Sequence, residues 1–481
     1  MDHLVQQFPR SRNPVFAGEM KPVAMALGLA FGLGAAPAAS AATITVNNLS
    51  GISIAGQCTL RDALQAADTN AAVQGCAAGS GADTINFSVT GTISLATELT
   101  INSDVTINGP GAASLTLAPS STNRALYIKS NHTTAISGVT FQGNGTTLVD
   151  GAALYHYSGT LTIQNCVFTG NKTTTKGGAI FNYGGTLIIK SSTFTGNRAG
   201  DRGGAIFMYS GNLSIDASTL SGNQSVRDGG AISFYHYGGT NGALTMTNST
   251  LSGNQSTGAT SRGGAVHMYR TLASTITNST ISGNSSNNGS GALYLRNSSP
   301  LTISNSTVSG NSAVNIAGGI TLYKATLNLV STIVANSSSG TGTRDIEIGP
   351  GGIVNGTNSL VQNATGFGFS SGSGNITGVN PLLGPLANNG GPTQTMALLA
   401  GSPAIDKGSN PLALAFDQRG TPFVRSSGVT DIGAYEVQGA PPPPPVASVP
   451  VPTLSQWSLA LLSAMMAGWA MLTGFGKRRR R

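Results

Sequence analysis

One short phrase recurs down this chain: Phe, Leu, Ile or Val, two further residues, then Asn. It closes at Asn144, Asn171, Asn197, Asn223, Asn254, Asn284, Asn311 and Asn336, at intervals of 27, 26, 26, 31, 30, 27 and 25 residues. A period of that length marks a solenoid, each repeat forming one coil. The segments that end on the phrase, such as TLIIKSSTFTGN and PLTISNSTVSGN, alternate aliphatic or β-branched residues with small polar ones and read as strands. A second phrase follows most of the Asn positions by six residues: GGAI at 177, 203 and 229, GGAV at 263, and looser forms near 152, 290 and 317. A coil therefore holds about three strands.

A single coil cannot bury its own apolar side chains, so coils must stack, and stacking places equivalent residues in columns. Ile163, Ile189, Ile215, Met246, Ile276, Ile303 and Leu329 form one expected inward column, and Phe168, Phe194, Leu220, Leu251, Ile281, Val308 and Ile333 another. The Asn column reads as structural, because a stacked amide bonds both turn backbone and its own copies. The 66 glycines follow the coil period and need no phosphate-binding role.

The ends of the chain differ from its body. Residues 22–36 are apolar, Lys21 precedes them and AASA ends at Ala41, the three zones of a secretory signal peptide over 1–41, with Met20 as an alternative start. A membrane anchor is the alternative reading. At the other end a Pro-rich linker over 439–450 leads to VPTLSQW and then to an apolar run from Trp457 to Phe475. Those 19 residues would reach about 28 Å as a helix, against a hydrocarbon core of roughly 30 Å. Five basic residues, Lys477 to Arg481, follow and would stay on the cytoplasmic side. Once leader and tail are set aside, 17 Lys and Arg face 15 Asp and Glu, a balance of +2 that argues against nucleic acid as partner.

An exported protein is expected to oxidise Cys58 and Cys76 to a disulfide, whose 17-residue loop would contribute roughly 3 kcal/mol on a chain-entropy basis. Cys166 shares a column with Ser192, Ser218, Ser249, Ser279 and Ser306 and reads as a buried stand-in for Ser. In CTLRDALQAADTN, Leu60, Ala63, Leu64 and Ala67 lie on one helical face, which suits a cap over the first coil within 42–82.

Several segments resemble known families. CTLRDALQAADTN followed by DTINF resembles the CSLREA-type segment that precedes bacterial β-helices. The FTGN and GGAI phrases resemble the repeats of polymorphic outer-membrane adhesins and of pectate-lyase-like β-helices, which implies an all-β, right-handed parallel β-helix over 83–380. The phrases NPLLGPLANNGGPTQTMALLAGSPAIDKG, DQRG and DIGAYE resemble a choice-of-anchor Q module over 381–438. Val451, Pro452, Thr453 and Leu454, with the apolar run and the basic cluster, resemble an IPTL-CTERM sorting signal over 451–481, with Val in place of the usual Ile. That resemblance implies a C-terminal transmembrane helix, an exosortase-type processing partner and delivery to the cell surface. A plain tail anchor on a Pro-rich stalk is the other reading.

Function would sit on an outward column of Tyr183, Tyr209, Tyr235, Tyr269 and Tyr323, with His156 and Arg296 in the same register. Phe181, Phe207, His267 and Tyr294 stand two residues earlier, and Lys176, Arg202, Arg227 and Arg262 border them, with Asp201 and Asp228 between. Insertions at 236–242 and before Arg262 would raise a wall beside Tyr235, His236, His267 and Tyr269. Aromatic faces and Arg forks suit an elongated acidic glycan or a protein ligand, with a glycan or another cell envelope as the expected partner, whereas strand preference and mutual neutralisation describe the same residues without a ligand. Catalysis would need paired carboxylates, for which Asp201 and Asp228 are the only close candidates in neighbouring coils. Asp406, Asp417, Arg419, Asp431 and Glu436 read as an ion-pair network, or as ligands for Ca²⁺. No Cys or His spacing indicates a metal site. Expected roles are thus an adhesin-like or matrix protein, a polysaccharide lyase or hydrolase, or a passive surface scaffold.

Overall fold

Stacked coils account for nearly all of the computed structural model, which describes residues 41–438, except 144, 237–241, 341, 343 and 427, together with 464–465. Every strand pairing between coils is parallel, and the strands of successive coils assemble four sheets. One coil shows the order: Thr186–Lys190 in sheet I, Thr193–Thr195 in sheet II, Arg198–Ala199 in sheet III and Ile206–Met208 in sheet IV. Sheets I and II each have 12 strands, sheet III has 8 and sheet IV has 10. The coil thus holds four segments rather than three, the additional one being only two residues long in sheet III.

Side chains set each corner. Between sheets I and II one residue per coil adopts a left-handed backbone, Asn165, Ser191, Ala217, Asn248, Asn278, Asn305, Ser331 and Asn358 in turn, and Asn is the non-glycine residue that tolerates it best. The next residue builds a hydroxyl ladder. The N–H of Cys166 donates to Ser192 Oγ at 3.1 Å, that of Ser192 to Ser218 Oγ at 3.0 Å, and the pattern runs on to Ser306. Cys166 heads this ladder, buried, with its thiol pushed up to about 11 by burial.

After sheet II the phrase Gly-Asn turns the chain. Gly196 has φ +62° with open space where a Cβ would lie, so the dihedral alone selects glycine there. Asn197 is fully buried; its Nδ2 donates to Asn223 Oδ1 at 2.9 Å and to the Phe168 carbonyl at 3.0 Å, and its N–H donates to the same Oδ1 at 3.1 Å. The ladder extends from Asn171 to Asn311. In GGA the second glycine has a separate cause: a Cβ on Gly204 would fall 2.0 Å from the Gly230 carbonyl oxygen of the next coil.

The core is a long apolar column. The Ile163 to Leu329 series is in register throughout and buried. Phe141, Phe168 and Phe194 stack at 4.6 and 4.5 Å, worth about 0.5–1.5 kcal/mol per pair beyond burial. At the last beat the sequence count fails by one residue. Val308 pairs with Val334, not Ile333, and Ser312 pairs with Ser338, so Ser337 takes the place above Asn311 while Asn336, at φ +54°, takes that of Gly310. Ile333 instead packs outward with Leu398, Ala404 and Ile432.

The first coils are capped, and a C-terminal segment packs on one side. Helix α1, Leu60–Thr69, buries Leu60, Ala63, Leu64, Ala66 and Ala67 against the first coils, with Thr59 as N-cap accepting from the Asp62 N–H, and a disulfide joins Cys58 to Cys76. Strand Thr43–Val46, just ahead of that helix, is already the first strand of sheet I. Residues 381–438 lie along the outside of sheet II, where Gln418 bonds Ser249, Thr250 and Thr280 and fully buried Arg425 bonds Asn278 and Asn305. Among the described residues no helix is long and apolar enough to cross a membrane. The leader, the Val451–Leu454 motif and all but two residues of the apolar run lie outside the described residues.

Replacing Asn223 by Ala removes the acceptor of two Asn197 donors and the donor to Asn254 and Phe194, all buried. Unfolding free energy should fall by about 3 kcal/mol, measured by urea denaturation. Thr245→Ala, at an exposed position of sheet I, should shift it by less than about 0.5 kcal/mol. Equal effects would show that the amide ladder does not hold the coils.

Candidate functional site on sheet IV

Sheet IV sends alternate residues to opposite faces, so Ile180 and Asn182 point inward while Phe181 and Tyr183 point outward. The outer register reads Tyr157, Tyr183, Tyr209, Tyr235, Tyr269, Arg296 and Tyr323. Tyr157, not His156, belongs to this column. In that coil the connection from the repeat Asn to the first Gly is seven residues instead of six, so counting from the Asn misplaces it by one. His156 points inward, fully buried, with Nδ1 2.6 Å from Asn182 Oδ1.

Stacking decides what solvent sees. Tyr157 and Tyr183 lie 4.8 Å apart at 20°, Tyr183 and Tyr209 4.9 Å at 9°, and Tyr235 and Tyr269 4.9 Å at 31°. Neighbouring rings cover one another's faces along the solenoid, and the column presents edges and phenol hydroxyls. Tyr157 and Tyr183 are 39% and 38% exposed. A sugar ring cannot stack on covered faces, so this column offers hydrogen bonds rather than the aromatic platform expected from composition.

The companion column is closed. Phe181, Phe207, His267 and Tyr294 point outward yet are buried, because cations lie over this part of the sheet. Lys176 Nζ is 5.8 Å from the Phe207 ring, Arg262 Cζ 5.5 Å from Tyr294, and Arg202 Cζ 4.2 Å from Tyr235. His236 is also fully buried, beside Phe234, and forms no part of an open surface. Of the expected wall, residues 237–241 lie outside the described residues.

Asp201 and Asp228 meet on one guanidinium. Arg202 Nε lies 2.9 Å from Asp228 Oδ2 and its Nη1 3.1 Å from Asp201 Oδ2, with Arg202 only 5% exposed. Asp201 also faces Lys176 at 4.0 Å and Arg227 at 3.6 Å. Both carboxylates are thus already engaged by cations, as in an ion-pair network rather than an open carboxylate pair. The arrangement sets cation against ring and carboxylate, and it rigidifies sheet IV.

The C-terminal acids are similarly occupied. Arg419 is held by Asp417 at 2.6 Å and lies between the rings of Phe423 and Tyr435 at 3.9 and 3.8 Å. Glu436 faces Arg425 at 3.6 Å, and Asp431 accepts the N–H groups of Asp406 and Val437. Among the described residues no group of three His, Cys, Asp or Glu is placed to hold a metal ion.

One hollow escaped the sequence reading. A cavity of about 570 Å³ beyond the last Asn of the ladder is lined by Asn336, Ser337, Asp345, Gln362, Asn363 and Asn380 among others. Asp345 is buried there, accepts the N–H groups of Ser337 and Asn363 at 3.1 and 2.7 Å, and has its pKa raised by burial. Of the residues named, only Asn336 belongs to the repeat, at its displaced last beat, and no periodic signal marks the rest.

Burial holds His267 at about 4 against an ordinary 6.5, with Arg262, Arg202 and Arg296 lowering it further and Asp228 opposing them. His156 and His236 are lowered in the same sense by burial. Above pH 6.5 the histidines are neutral in both states. As pH falls toward 4 the unfolded chain takes up protons that the native state refuses, so stability is lost across that window, by roughly 3 kcal/mol for His267. Thermal unfolding at pH 7 and 4.5 should show a smaller acid loss for His267→Phe than for the parent. Parallel losses would place the acid sensitivity elsewhere.

The comparisons with known proteins agree with this architecture. The family described as Right handed beta helix region matches residues 124–265, within the coils, and that described as IPTL-CTERM motif matches residues 449–481. No curated protein and no solved structure matches the chain. The chain is therefore an all-β, right-handed β-helix solenoid with the short helix α1 among the described residues, and its IPTL-CTERM motif implies export, membrane-associated sorting and exosortase-type processing.

Proposed function

We propose that this protein is displayed at the cell surface and acts there as an adhesin-like or matrix-associated β-helix, holding a glycan or a neighbouring cell envelope along sheet IV. The observation that carries this reading is the outward tyrosine column, whose phenol edges repeat at the coil spacing across seven coils with one Arg substitution. An extended ligand laid along the axis would meet a hydroxyl or a guanidinium at each step. The sorting tail supports delivery to the surface, and the 381–438 module, docked on sheet II, is read as the anchor-type module that its sequence resembles.

A lyase or hydrolase is the second reading, which the pectate-lyase-like resemblance favours and the capture of Asp201 and Asp228 by Arg202 opposes. A passive surface scaffold is the third. Purified full-length chain on a glycan array is expected to give signal, and Tyr157→Phe with Tyr183→Phe and Tyr269→Phe should reduce it several-fold, since the stack survives and the hydroxyls do not. Unchanged binding would remove the hydroxyl column from the interaction. Absence of signal would favour the scaffold, and release of soluble products from acidic polysaccharides would favour the enzyme.

A further inference from the structure

We infer that the ligand is an acidic polysaccharide and that its carboxylates are bound at the downstream end of sheet IV by Arg262, Arg270, Arg296 and Lys324, an inference that rests on the glycan-binding reading above. The two halves of the sheet differ in charge. Upstream, Arg124 pairs with Glu98 and Lys176, Arg202 and Arg227 share Asp201 and Asp228, with Lys129 alone left without an ion pair among the described residues there. Downstream, among the described residues, none of the four cations forms an ion pair, and Glu347 on the following strand is taken by Arg344. Four like charges on three successive coils, each step about 4.8 Å, repel one another and weaken the fold unless a partner supplies the counter-charge.

The local backbone adds an independent observation. Arg270, Asn297 and Lys324 occupy one turn in successive coils, all left-handed, at φ +57°, +49° and +47°. Asn suits that conformation; Arg and Lys do not. Two long cations thus stand at turn positions that the neighbouring coil fills with Asn, so the turn by itself does not select them. The rings place the charges: Arg270 and Arg296 lie 5.2 and 5.8 Å from Tyr269, Arg296 also 5.6 Å from Tyr323, and Arg262 5.5 Å from Tyr294. Arg270 and Lys324 are exposed. Guanidinium forks bind carboxylates in two-point fashion, so a linear chain with an acid on successive sugars would follow the coils.

The test uses full-length protein with alginate, a linear polyuronate, and with its propylene-glycol ester, in which the carboxylates are capped. Alginate is expected to bind, to weaken as salt rises, and to lose at least tenfold in affinity on esterification. Arg270→Asn with Lys324→Asn should lower alginate affinity at least tenfold while leaving the unfolding midpoint unchanged or higher, because Asn relieves both turns. Arg227→Gln should change affinity less than twofold. Equal binding of ester and acid, or an unaltered double variant, would overturn the acidic site and leave a neutral-glycan reading standing. Duplex DNA bound as tightly through the same residues would overturn the ligand class. Failure to bind any polysaccharide, charged or neutral, would remove both this site and the function proposed above.

Discussion

The buried amide ladder is the interaction on which the rest of this molecule depends. Parallel strands alone tolerate slippage, because backbone donors and acceptors recur along every strand. A side-chain amide that accepts from the coil below and donates to the coil above does not, since a slip of one residue would leave its donors and acceptor buried without partners. From Asn171 to Asn311 each Oδ1 between the ends takes two bonds from the preceding Asn. The serine ladder repeats this device at the corner between sheets I and II. Glycine at φ near +62° presents each Asn to its column, and the second glycine of GGA lets the coils close to contact.

Fixed register has consequences on the surface. Residues that coincide in every coil become continuous columns, so chemistry on sheet IV is decided column by column. Stacking hides the ring faces of the tyrosines, which turns an aromatic stripe into a row of hydroxyls. Cations near that stripe take one of two roles. Where an Asp lies nearby, as with Arg202, charge is consumed internally and the sheet is stiffened. Where none does, as with Arg270, Arg296 and Lys324, charge is left for solvent or a ligand. The same residue types therefore stand in different electrostatic settings within a few coils, and the carboxylates distinguish them.

Much of this was legible in the sequence because period and burial are written in residue type. The recurrent Asn, the inward Ile and Phe columns and the apolar face of the short helix need only spacing and hydrophobicity. What failed was arithmetic at constant offset. Counting puts His156 outward and Ile333 inward, each in error by one residue, because the stretch after Asn144 has a longer connection and the beat at Asn336 is displaced, and a slip of one exchanges the two faces of a strand. The two-residue sheet III was also hidden, since strands such as Arg198–Ala199 carry no alternation to read. The closure of the Phe181 and His267 column depended on long cations folding back over it, a tertiary event. The Asp345 cavity is formed where the repeat ends, and only the coordinates bring its residues together.

A solenoid must protect its ends and can leave its sides open, and this chain does so unevenly. Helix α1 covers the first coils, and the 381–438 module lies along sheet II, where Gln418 and Arg425 meet outward Thr and Asn side chains of several coils. Among the described residues sheet IV has no such cover. Its tyrosine column stays partly open along the coils although the neighbouring column is sealed by cations. If the tyrosines served stacking alone, phenylalanine, which fills the adjacent buried column at Phe181 and Phe207, would stack as well without a hydroxyl to hydrate. From Tyr157 to Tyr323 the exposed register carries only Tyr or Arg, whereas the closed one mixes Tyr155, Phe181, Phe207, His267 and Tyr294, so polar tips recur at the register that meets solvent or a hydrogen-bonding ligand. Downstream, Arg270 and Lys324 follow that register at turns that suit Asn better and form no ion pair among the described residues, so their charge is balanced by solvent or by a ligand.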